Sequence, residues 1–153
     1  MFGKMQGDFV ESKSDHAYSL QMALDSSFRG AKTDIGTLAT KNKNTASVMV
    51  WNYHDVDKKD EFTQVTLKIS GIKSTSAKLT HYRIDDLHSN SYEVWKKMGS
   101  PQSPTSQQIS ALEKAGQLAL VNPPQKVTIK KGVLKVETEL PRQAVDLFQL
   151  TWQ

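Results

Sequence analysis

Cysteine is missing from this 153-residue sequence, so neither a disulfide framework nor a thiolate metal site can form. Long apolar runs are also missing, and none approaches the roughly 20 residues that a membrane-spanning helix needs. The first stretch, MFGKMQGDFVESKSD, lacks the apolar core of a secretory signal. The length suits one domain with a sizeable core.

Arginine is scarce. Lysine and arginine together number 20 against 16 acidic residues, a formal net charge of +4. Almost all of this positive charge is lysine, in scattered pairs such as Lys58-Lys59 and Lys130-Lys131. A nucleic-acid-binding domain more often clusters its basic residues and uses arginine for phosphates and base edges. We therefore expect no nucleic-acid partner and no membrane partner.

Motifs for several chemistries are absent as well. There is no Gly-x-Ser-x-Gly elbow and no glycine-rich phosphate loop. Asp85 and Asp86 are adjacent, so on a strand they point to opposite faces and cannot flank one bond. His54-Asp55 with Asp57 could begin a metal site, but a solvated turn at a strand end explains these residues better. We expect no metal and no cofactor.

Alternating apolar and polar residues predict that most of the chain forms strands. In QVTLKIS, the residues Val65, Leu67 and Ile69 share one face, which is typical of a strand with one wet face. The stretch Ser47–Tyr53 has apolar residues on both faces, so we expect it to be covered on both sides. Further strands are predicted at Asp34–Thr40, Ala77–Ile84 and Ala144–Trp152.

Two patterned segments flank a turn at Lys131-Gly132, where glycine supplies the positive φ of a tight hairpin. They predict that Lys126–Lys131 pairs with Val133–Leu140. The apolar residues of both segments should then share a core. These residues are Val127, Ile129, Leu134 and Val136.

Two short helices interrupt the strand pattern. The first is predicted over Ser91–Met98, with Ser89 or Asn90 as its N-cap. The second starts at a capping box of Thr105 and Gln108 and ends near Gly116. A third helix-like piece runs from about His16. Together these patterns predict a mainly β fold, an antiparallel β-sandwich with short helical insertions.

The aromatic residues allow three interpretations. Buried core positions are the commonest, because each ring contributes a large apolar area. Flat rings beside amides and hydroxyls also bind sugars, and the amphipathic ends of tryptophan and tyrosine suit a domain interface. The residues concerned are Trp51, Tyr53, Tyr82, Tyr92 and Trp95.

A long irregular motif then narrows the choice. The segment HYRIDDLHSNSYEVWKKMGSPQSPTSQQISALEKAGQL, with VMVWNYHDVD upstream, resembles the C-terminal part of glycoside hydrolase family 39, specifically its bacterial β-xylosidases. The likeness spans nearly the whole chain. The related α-L-iduronidases carry a looser form of the motif, which is the alternative. Its matching positions here are Trp95, Gly99, Pro101, Pro104-Thr105 and Gln108.

The resemblance implies a domain organisation. Members of the family look like a catalytic (β/α)8 barrel followed by a β-sandwich, and this chain resembles the sandwich. It implies that residues 1–15 are the exit from a barrel absent from this chain, and that residues 16–153 form the accessory sandwich. The barrel would be the main partner, with a xylo-oligosaccharide at the domain border and self-association of the chain as further expectations.

The resemblance also implies what this chain lacks. Family members are retaining glycosidases with two catalytic glutamates, and their acid/base lies in an Asn-Glu-Pro motif that does not occur here. We therefore expect no catalytic residue and no activity from this chain alone. An autonomous carbohydrate-binding module is the rival function. The residues expected to face the barrel or the sugar are Trp51, Tyr53, His54, His88, Asn90, Tyr92 and Trp95.

Overall fold

The computed structural model describes residues 1–25, 33–54 and 61–153. Within these ranges no helix is both long and apolar enough to cross a bilayer. The chain forms nine strands and three α-helices there, after a 3-10 turn at Phe2–Lys4. The strands are β1 (Asp8–Val10), β2 (Asp34–Lys41), β3 (Thr45–Tyr53), β4 (Phe62–Ser70), β5 (Ser76–Ile84), β6 (Ala119–Leu120), β7 (Gln125–Thr128), β8 (Val133–Pro141) and β9 (Val145–Thr151), and the helices are α1 (Leu20–Leu24), α2 (Ser91–Lys97) and α3 (Ser106–Ala115).

The strands form two antiparallel sheets. Sheet A has the order β1-β2-β3-β9-β5-β6, and β7 also pairs with β5. Sheet B contains β4 and β8. The mainly β, antiparallel sandwich with helical insertions is confirmed.

The core lies between the sheets in two clusters. One joins Val48 and Val50 of β3 to Leu140 of β8. The other surrounds Leu150 of β9, which is fully buried. Residues at alternate positions of β2, β3, β5 and β9 therefore face sheet B, and their neighbours face away from it. We call that second side of sheet A the outer face.

The predicted turn at Lys131-Gly132 is present, but the predicted pairing of the two segments that flank it is wrong. Lys130 and Val133 exchange two backbone hydrogen bonds of 3.0 Å, and Lys131 and Gly132 have φ values of 51° and 74°. However, β7 pairs with β5 and β8 pairs with β4. The turn carries the chain from sheet A to sheet B. The apolar residues of β7 and β8 are buried better when the two strands lie in opposite sheets and face each other across the core. The shared core is confirmed, with Ile129 and Leu134 buried and Val127 and Val136 packed against them.

Most other predicted elements are confirmed. Residues 47–50 of β3 are buried on both faces, as its pattern predicted. The third helix is shorter than predicted and begins at Leu20. The reason is that the chain first follows β2, where the carbonyl of His16 accepts a hydrogen bond from Ile35 N (3.2 Å). The pattern missed β1 and β6, which have three and two residues.

Candidate functional site

The outer face of sheet A carries a row of apolar residues near one end of its strands. Strand register places Gly36, Trp51, Val145 and Ile84 side by side on β2, β3, β9 and β5. Ile84 remains 37% exposed, and Tyr53, two residues beyond Trp51 on the same face, remains 43% exposed. The row is therefore an apolar surface that this chain leaves partly open to solvent.

Trp51 lies directly over Gly36. A Cβ atom added at Gly36 would come within 2.2 Å of two ring carbons of the indole. Glycine is needed here because of this close approach, and the ring covers the backbone that the missing side chain leaves bare. The pair fixes the orientation of Trp51 on the outer face.

We expect Gly36→Ala to destabilise the fold by about 1–3 kcal/mol, since the rigid indole must move away from the new methyl group. Urea unfolding would measure the loss, and Trp51 fluorescence in a Trp95→Phe, Trp152→Phe background would report the displaced ring. Gly3→Ala is the matched control, because nothing lies within 4 Å of the Cβ it would add. Equal stability of the two variants would show that the indole does not hold this position.

Beside the apolar row, the part of the outer face around Leu147 and Tyr82 is covered by the chain's own N-terminal residues. Leu147 is fully buried and Met49 is 8% exposed. Lys4 Nζ lies 4.9 Å from the centre of the Tyr82 ring, and Gln149 Nε2 donates a 2.7 Å hydrogen bond to the carbonyl of Lys4. The 3-10 turn at Phe2–Lys4 therefore lies against this side of the sheet, next to the exposed row.

Helices α2 and α3 form a hairpin whose base is tied to sheet A. Ser89 Oγ donates to the carbonyl of Arg83 (2.7 Å) and accepts from Ala119 N (2.8 Å). Asn90 is the N-cap of α2 and also donates to the carbonyl of Asp85 (3.0 Å). The predicted helix start and its capping residue are confirmed. The role of Asn90 in this chain is to position α2.

His88 belongs to the same base. Its Nδ1 lies 2.8 Å from Asp85 Oδ1, which also accepts hydrogen bonds from the backbone N–H groups of Leu87 and His88. The side chain is 29% exposed. One carboxylate therefore organises the whole turn between β5 and α2, and His88 packs beside it.

Helix α2 carries two stacked aromatic rings. Tyr92 is 60% exposed and stacks on Trp95, with ring centres 5.7 Å apart. Trp95 Nε1 donates to the carbonyl of Pro101 (3.0 Å), so the proline-containing linker holds the indole in place. Neither α2 nor α3 contains a buried residue.

The second helix is held by local bonds. Thr105 and Gln108 form the predicted capping box, with bonds of 2.8 and 3.3 Å. Ser91 Oγ donates to the carbonyl of Leu112 (2.8 Å), which joins α2 to α3. The hairpin is thus ordered by its own hydrogen bonds, although no residue of its two helices is fully buried.

His54 differs from the other candidates because it is buried, with 3% of its surface exposed. Gln143 Nε2 donates to its carbonyl. Its ring nitrogens have no hydrogen-bond partner among the described residues. Asp55 and Asp57, which the sequence associates with it as metal candidates, lie outside those residues. The described ranges contain no group of three His, Asp or Glu side chains that could hold a metal.

The strongest electrostatic cluster lies inside the sandwich. It was not predicted from the sequence. Asp146 of β9 is fully buried and accepts bonds of 2.6 and 2.7 Å from Nε and Nη2 of Arg83. His81 Nε2 lies 2.8 Å from the same carboxylate, and its ring stacks on Phe148. A single acid within the apolar run AVDLFQL, in a chain with few arginines, was the available signal.

Burial alone would raise the pKa of Asp146, but hydrogen bonds from Arg83 and His81 outweigh it, and the pKa lies below the usual range of an aspartate. The hydrogen bond to Asp146 raises the pKa of Arg83. Both groups are therefore held as ions. A carboxylate enclosed in this way cannot reach a substrate, so the cluster is structural.

The six glutamates of the chain lie on separate surface elements or on the exposed face of β8. Glu137 illustrates their chemistry, because the hydrogen bond from Lys135 lowers its pKa. A general acid for glycoside cleavage needs a raised pKa instead. Four other glutamates contact basic or amide side chains: Glu11 with Lys13, Glu61 with Arg142, Glu93 with Lys96 and Glu139 with Gln64.

Two antiparallel layers with an inserted helical hairpin define a β-sandwich domain. The chain belongs to glycosyl hydrolases family 39, whose sequence profile matches residues 13–129, and it is a domain of a glycoside hydrolase. The resemblance stated from the sequence is confirmed. No curated protein sequence matches the chain significantly.

Solved structures share the fold. A monomeric β-xylosidase from Caulobacter crescentus CB15 is 15% identical with a TM-score of 0.68, and the match covers 98% of this chain and 29% of that one. The GH39 enzyme from Xanthomonas axonopodis pv. citri is 13% identical with a TM-score of 0.65, and the match covers 80% and 28%. A bacterial orthologue of human α-L-iduronidase is 21% identical with a TM-score of 0.60, covering 79% and 22%. The chain therefore spans less than a third of each of these proteins.

Proposed function

We propose that this chain is the C-terminal accessory β-sandwich of a retaining β-xylosidase-like glycoside hydrolase, and that it packs on a catalytic (β/α)8 barrel. The observation that carries the proposal is the apolar row on the outer face of sheet A. A sandwich needs its inner faces for its own core, whereas a row of tryptophan, valine and isoleucine on the outer side gains from a second covering layer.

The helix hairpin supports the same proposal. Its backbone is held by caps and by the bonds of Ser89 and Asn90, yet neither helix has a buried residue. Tyr92 is exposed on this ordered support, and exposed aromatic rings are typical of interfaces. In this proposal Trp51, Tyr53, Tyr92 and Trp95 contact the barrel or border its sugar. His54, His88 and Asn90 would border the same interface, and His88 and Asn90 would also hold the start of α2.

The proposed division of the chain follows from this arrangement. Residues 1–15 would connect the barrel to the sandwich, and residues 16–153 would form the accessory domain. Two contacts support the connection's course: β1 pairs with β2, and Lys4 lies over Tyr82 on the outer face. The chain would thus reach the sandwich on the side that carries the apolar row.

The proposal is tested by binding to a separately expressed catalytic domain of the same enzyme. We expect Tyr53→Ser with Ile84→Ser to weaken that binding at least about tenfold, because exposed apolar anchors contribute most interface energy. The matched control is Phe62→Ser with Val133→Ser, since these residues are 61% and 40% exposed but lie on sheet B. Equal effects of the two pairs in calorimetry would place the barrel elsewhere.

A carbohydrate-binding module is the rival, and xylo-oligosaccharide binding separates the two. We expect this chain alone to bind xylo-oligosaccharides weakly or not at all, since a few exposed rings provide stacking without the convergent hydrogen bonds that orient a sugar. Calorimetry with xylotetraose would check this. Micromolar binding that is lost in Trp51→Ala or Trp95→Ala, with Phe62→Ser as control, would favour the module.

The β-xyloside specificity is the finer part of the proposal. It rests on the motif HSNSYEVWKKMGSPQSPT, which resembles the β-xylosidases more closely than the α-L-iduronidases. Assays of the full-length enzyme on aryl β-xylosides and aryl α-L-iduronides would decide between them. A preference for the iduronide would show that the chain is the accessory domain of an α-L-iduronidase-like enzyme.

A further inference from the structure

Three turns meet at one end of the sandwich, where β2 joins β3, β4 joins β5 and β7 joins β8. Lys41 Nζ donates to the carbonyl of Gly71 (3.2 Å), and Ile72 N donates to the carbonyl of Gly132 (3.2 Å). These bonds hold segments that are far apart in the sequence against one another. The apolar row of the outer face lies at the opposite end of the strands.

Five exposed lysines lie on the β5 and β7 side of this end. Lys73 is in the turn before β5, and Lys130 and Lys131 are in the turn after β7. Lys78 and Lys126 lie directly opposite each other on β5 and β7, on the outer face. Among the described residues no acidic side chain forms an ion pair with these lysines, and the turns 71–75 and 129–132 contain no acidic residue. We call the five lysines the basic end.

The acidic side chains near sheet A lie at its opposite end or at its other edge. Asp8 of β1 lies opposite Lys41, and β2, β3 and β9 separate β1 from β5. On sheet B, Glu137 is bound to Lys135. The acids that adjoin the opposite strand ends are Asp34, Glu61, Asp85 and Asp86. The sandwich thus has a basic end and an acidic end.

The two stretches outside the described ranges do not alter this separation. Residues 26–32 include no acidic residue. Residues 55–60 include three aspartates and join His54 to Glu61 at the acidic end. Six residues reach at most about 12 Å away from these two residues and back, whereas β3 from Tyr53 to Thr45 is about 27 Å long. The aspartates therefore do not reach the basic end.

Lys78 and Lys126 repel each other. Directly opposite residues of neighbouring strands have Cβ atoms about 5 Å apart, and like charges at this spacing destabilise the pair. Thr151 of β9 and Thr45 of β3 continue the same row. Two ammonium groups and two hydroxyls thus follow one line across four strands, over about 14 Å. A bound anion would relieve the repulsion, and the hydroxyls would bind neutral oxygen atoms of the same ligand.

The side chains of this end favour a polysaccharide among the possible polyanions. A nucleic-acid site gains from the bidentate fork of arginine and from aromatic rings that stack on bases. The described arginines are bound elsewhere, Arg83 to Asp146 and Arg142 to Glu61. No exposed aromatic ring of the described chain lies on β5, on β7 or in the turns beside them. Lysines beside hydroxyls suit an acidic sugar, and the family of this chain hydrolyses glycosides.

We propose that the basic end binds a polysaccharide that carries uronate carboxylates and thereby holds the enzyme on that polymer. Lys78 and Lys126 would bind one carboxylate between them, and the three lysines of the turns would bind others. Thr45 and Trp51 are six residues apart on β3, about 20 Å, so this surface is separate from the apolar row. Polysaccharide binding here therefore depends on the family and not on a contact between the apolar row and a barrel.

A xylan that carries glucuronate side groups is the first probe, and the same xylan with its carboxyl groups reduced to alcohols is the reference. We expect the chain to bind the acidic polymer at least about tenfold more tightly than the reduced one in calorimetry at low salt, because ammonium groups attract only the charged form. Raising the sodium chloride concentration from about 0.05 to about 0.2 M should weaken the binding at least about fivefold, since exposed charges are screened.

Polygalacturonate is the second probe, because its carboxylates lie on a different backbone. Binding to this polymer but not to the acidic xylan would support the basic end as a uronate site. The same result would contradict the xylan part of the proposed function, so the two proposals fail separately.

A pair of charge reversals tests the position of the site. Lys78→Glu with Lys130→Glu should weaken binding to the acidic polymer at least about tenfold, since attraction becomes repulsion. The matched control is Lys97→Glu with Lys114→Glu, two exposed lysines of the helix hairpin, which should leave the affinity nearly unchanged. Both pairs lower the net charge equally. Lys78→Glu alone should not lower the unfolding midpoint, because it places opposite charges across β5 and β7, so weaker binding would not reflect a lost fold.

Three results would overturn the proposal. Absence of binding to both acidic polymers at low salt, or equal binding of the reduced xylan, would show that the basic end has no carboxylate ligand. Equal weakening by the two variant pairs would show that net charge alone drives the binding. Tighter binding to a DNA duplex or to vesicles containing phosphatidylserine, lost in the Lys78→Glu, Lys130→Glu variant, would assign the surface to a nucleic acid or a membrane.

Discussion

Asp146→Ala should destabilise this domain by about 3–5 kcal/mol, because it removes the carboxylate that binds both Nε and Nη2 of the buried Arg83. Asp146 is fully buried, and the side chain of Arg83 is 11% exposed. For a domain of this size, such a loss would lower the midpoint of thermal unfolding by about 10 °C. Urea unfolding followed by circular dichroism would measure it.

A paired replacement separates the charge from the packing. Arg83→Met with Asp146→Leu removes both ions, and we expect it to recover most of the lost stability, since apolar residues often replace a buried ion pair at little cost. Glu137→Gln is the surface control. Its carboxylate is exposed and bound to Lys135, so the unfolding midpoint should hardly change. A large loss in this control, or none in Asp146→Ala, would contradict the assignment.

The same pair makes the fold sensitive to acid. The pKa of Asp146 is lowered in the folded chain, whereas an aspartate in an unfolded chain has a pKa of about 3.9. The contribution of the ionised carboxylate is therefore complete above that value and is lost as the pH falls through the lower folded pKa. Below about pH 4 the wild-type chain should therefore lose stability relative to the paired Met/Leu variant, which lacks this carboxylate.

The second large effect concerns catalysis. We expect the purified chain to leave aryl β-xylosides uncleaved, and the full-length enzyme to hydrolyse them with retention of configuration. Retaining cleavage needs two carboxyl groups about 5 Å apart whose pKa values are held apart. Here Glu137 and Glu139 share the exposed face of β8, and the other four glutamates lie on four separate segments. The hydrogen bond from Lys135 lowers the pKa of Glu137, which is the wrong direction for a general acid.

Release of nitrophenol from a nitrophenyl β-xyloside measures this directly, and proton NMR of the first sugar product gives its anomeric configuration. Glu61→Gln, Glu113→Gln and Glu139→Gln are the control variants. Turnover by the purified chain that one of these changes abolishes would reveal an active site within these residues. Inversion by the full-length enzyme would contradict the retaining mechanism.

Much of the fold could be predicted because its signals are local. Strand alternation placed all of the long strands, and the Thr105–Gln108 spacing placed the start of α3, since each depends on residues a few positions apart. The family motif was equally visible, because HSNSYEVWKKMGSPQSPT is a continuous stretch. Among the candidate residues, the aromatic ones could be identified from the sequence. The residues that they contact in the fold could not.

The sequence by itself determined the long strands, the helix caps, the family and the absence of the family's Asn-Glu-Pro motif. Only the tertiary structure decided which strands pair, and it separated β7 from β8 because each buries its apolar face better in its own sheet. It also decided that Gly36 lies under Trp51 and that Arg83 meets Asp146. Residues 63 positions apart come together only when strand register is set, and register depends on the packing of both sheets at once.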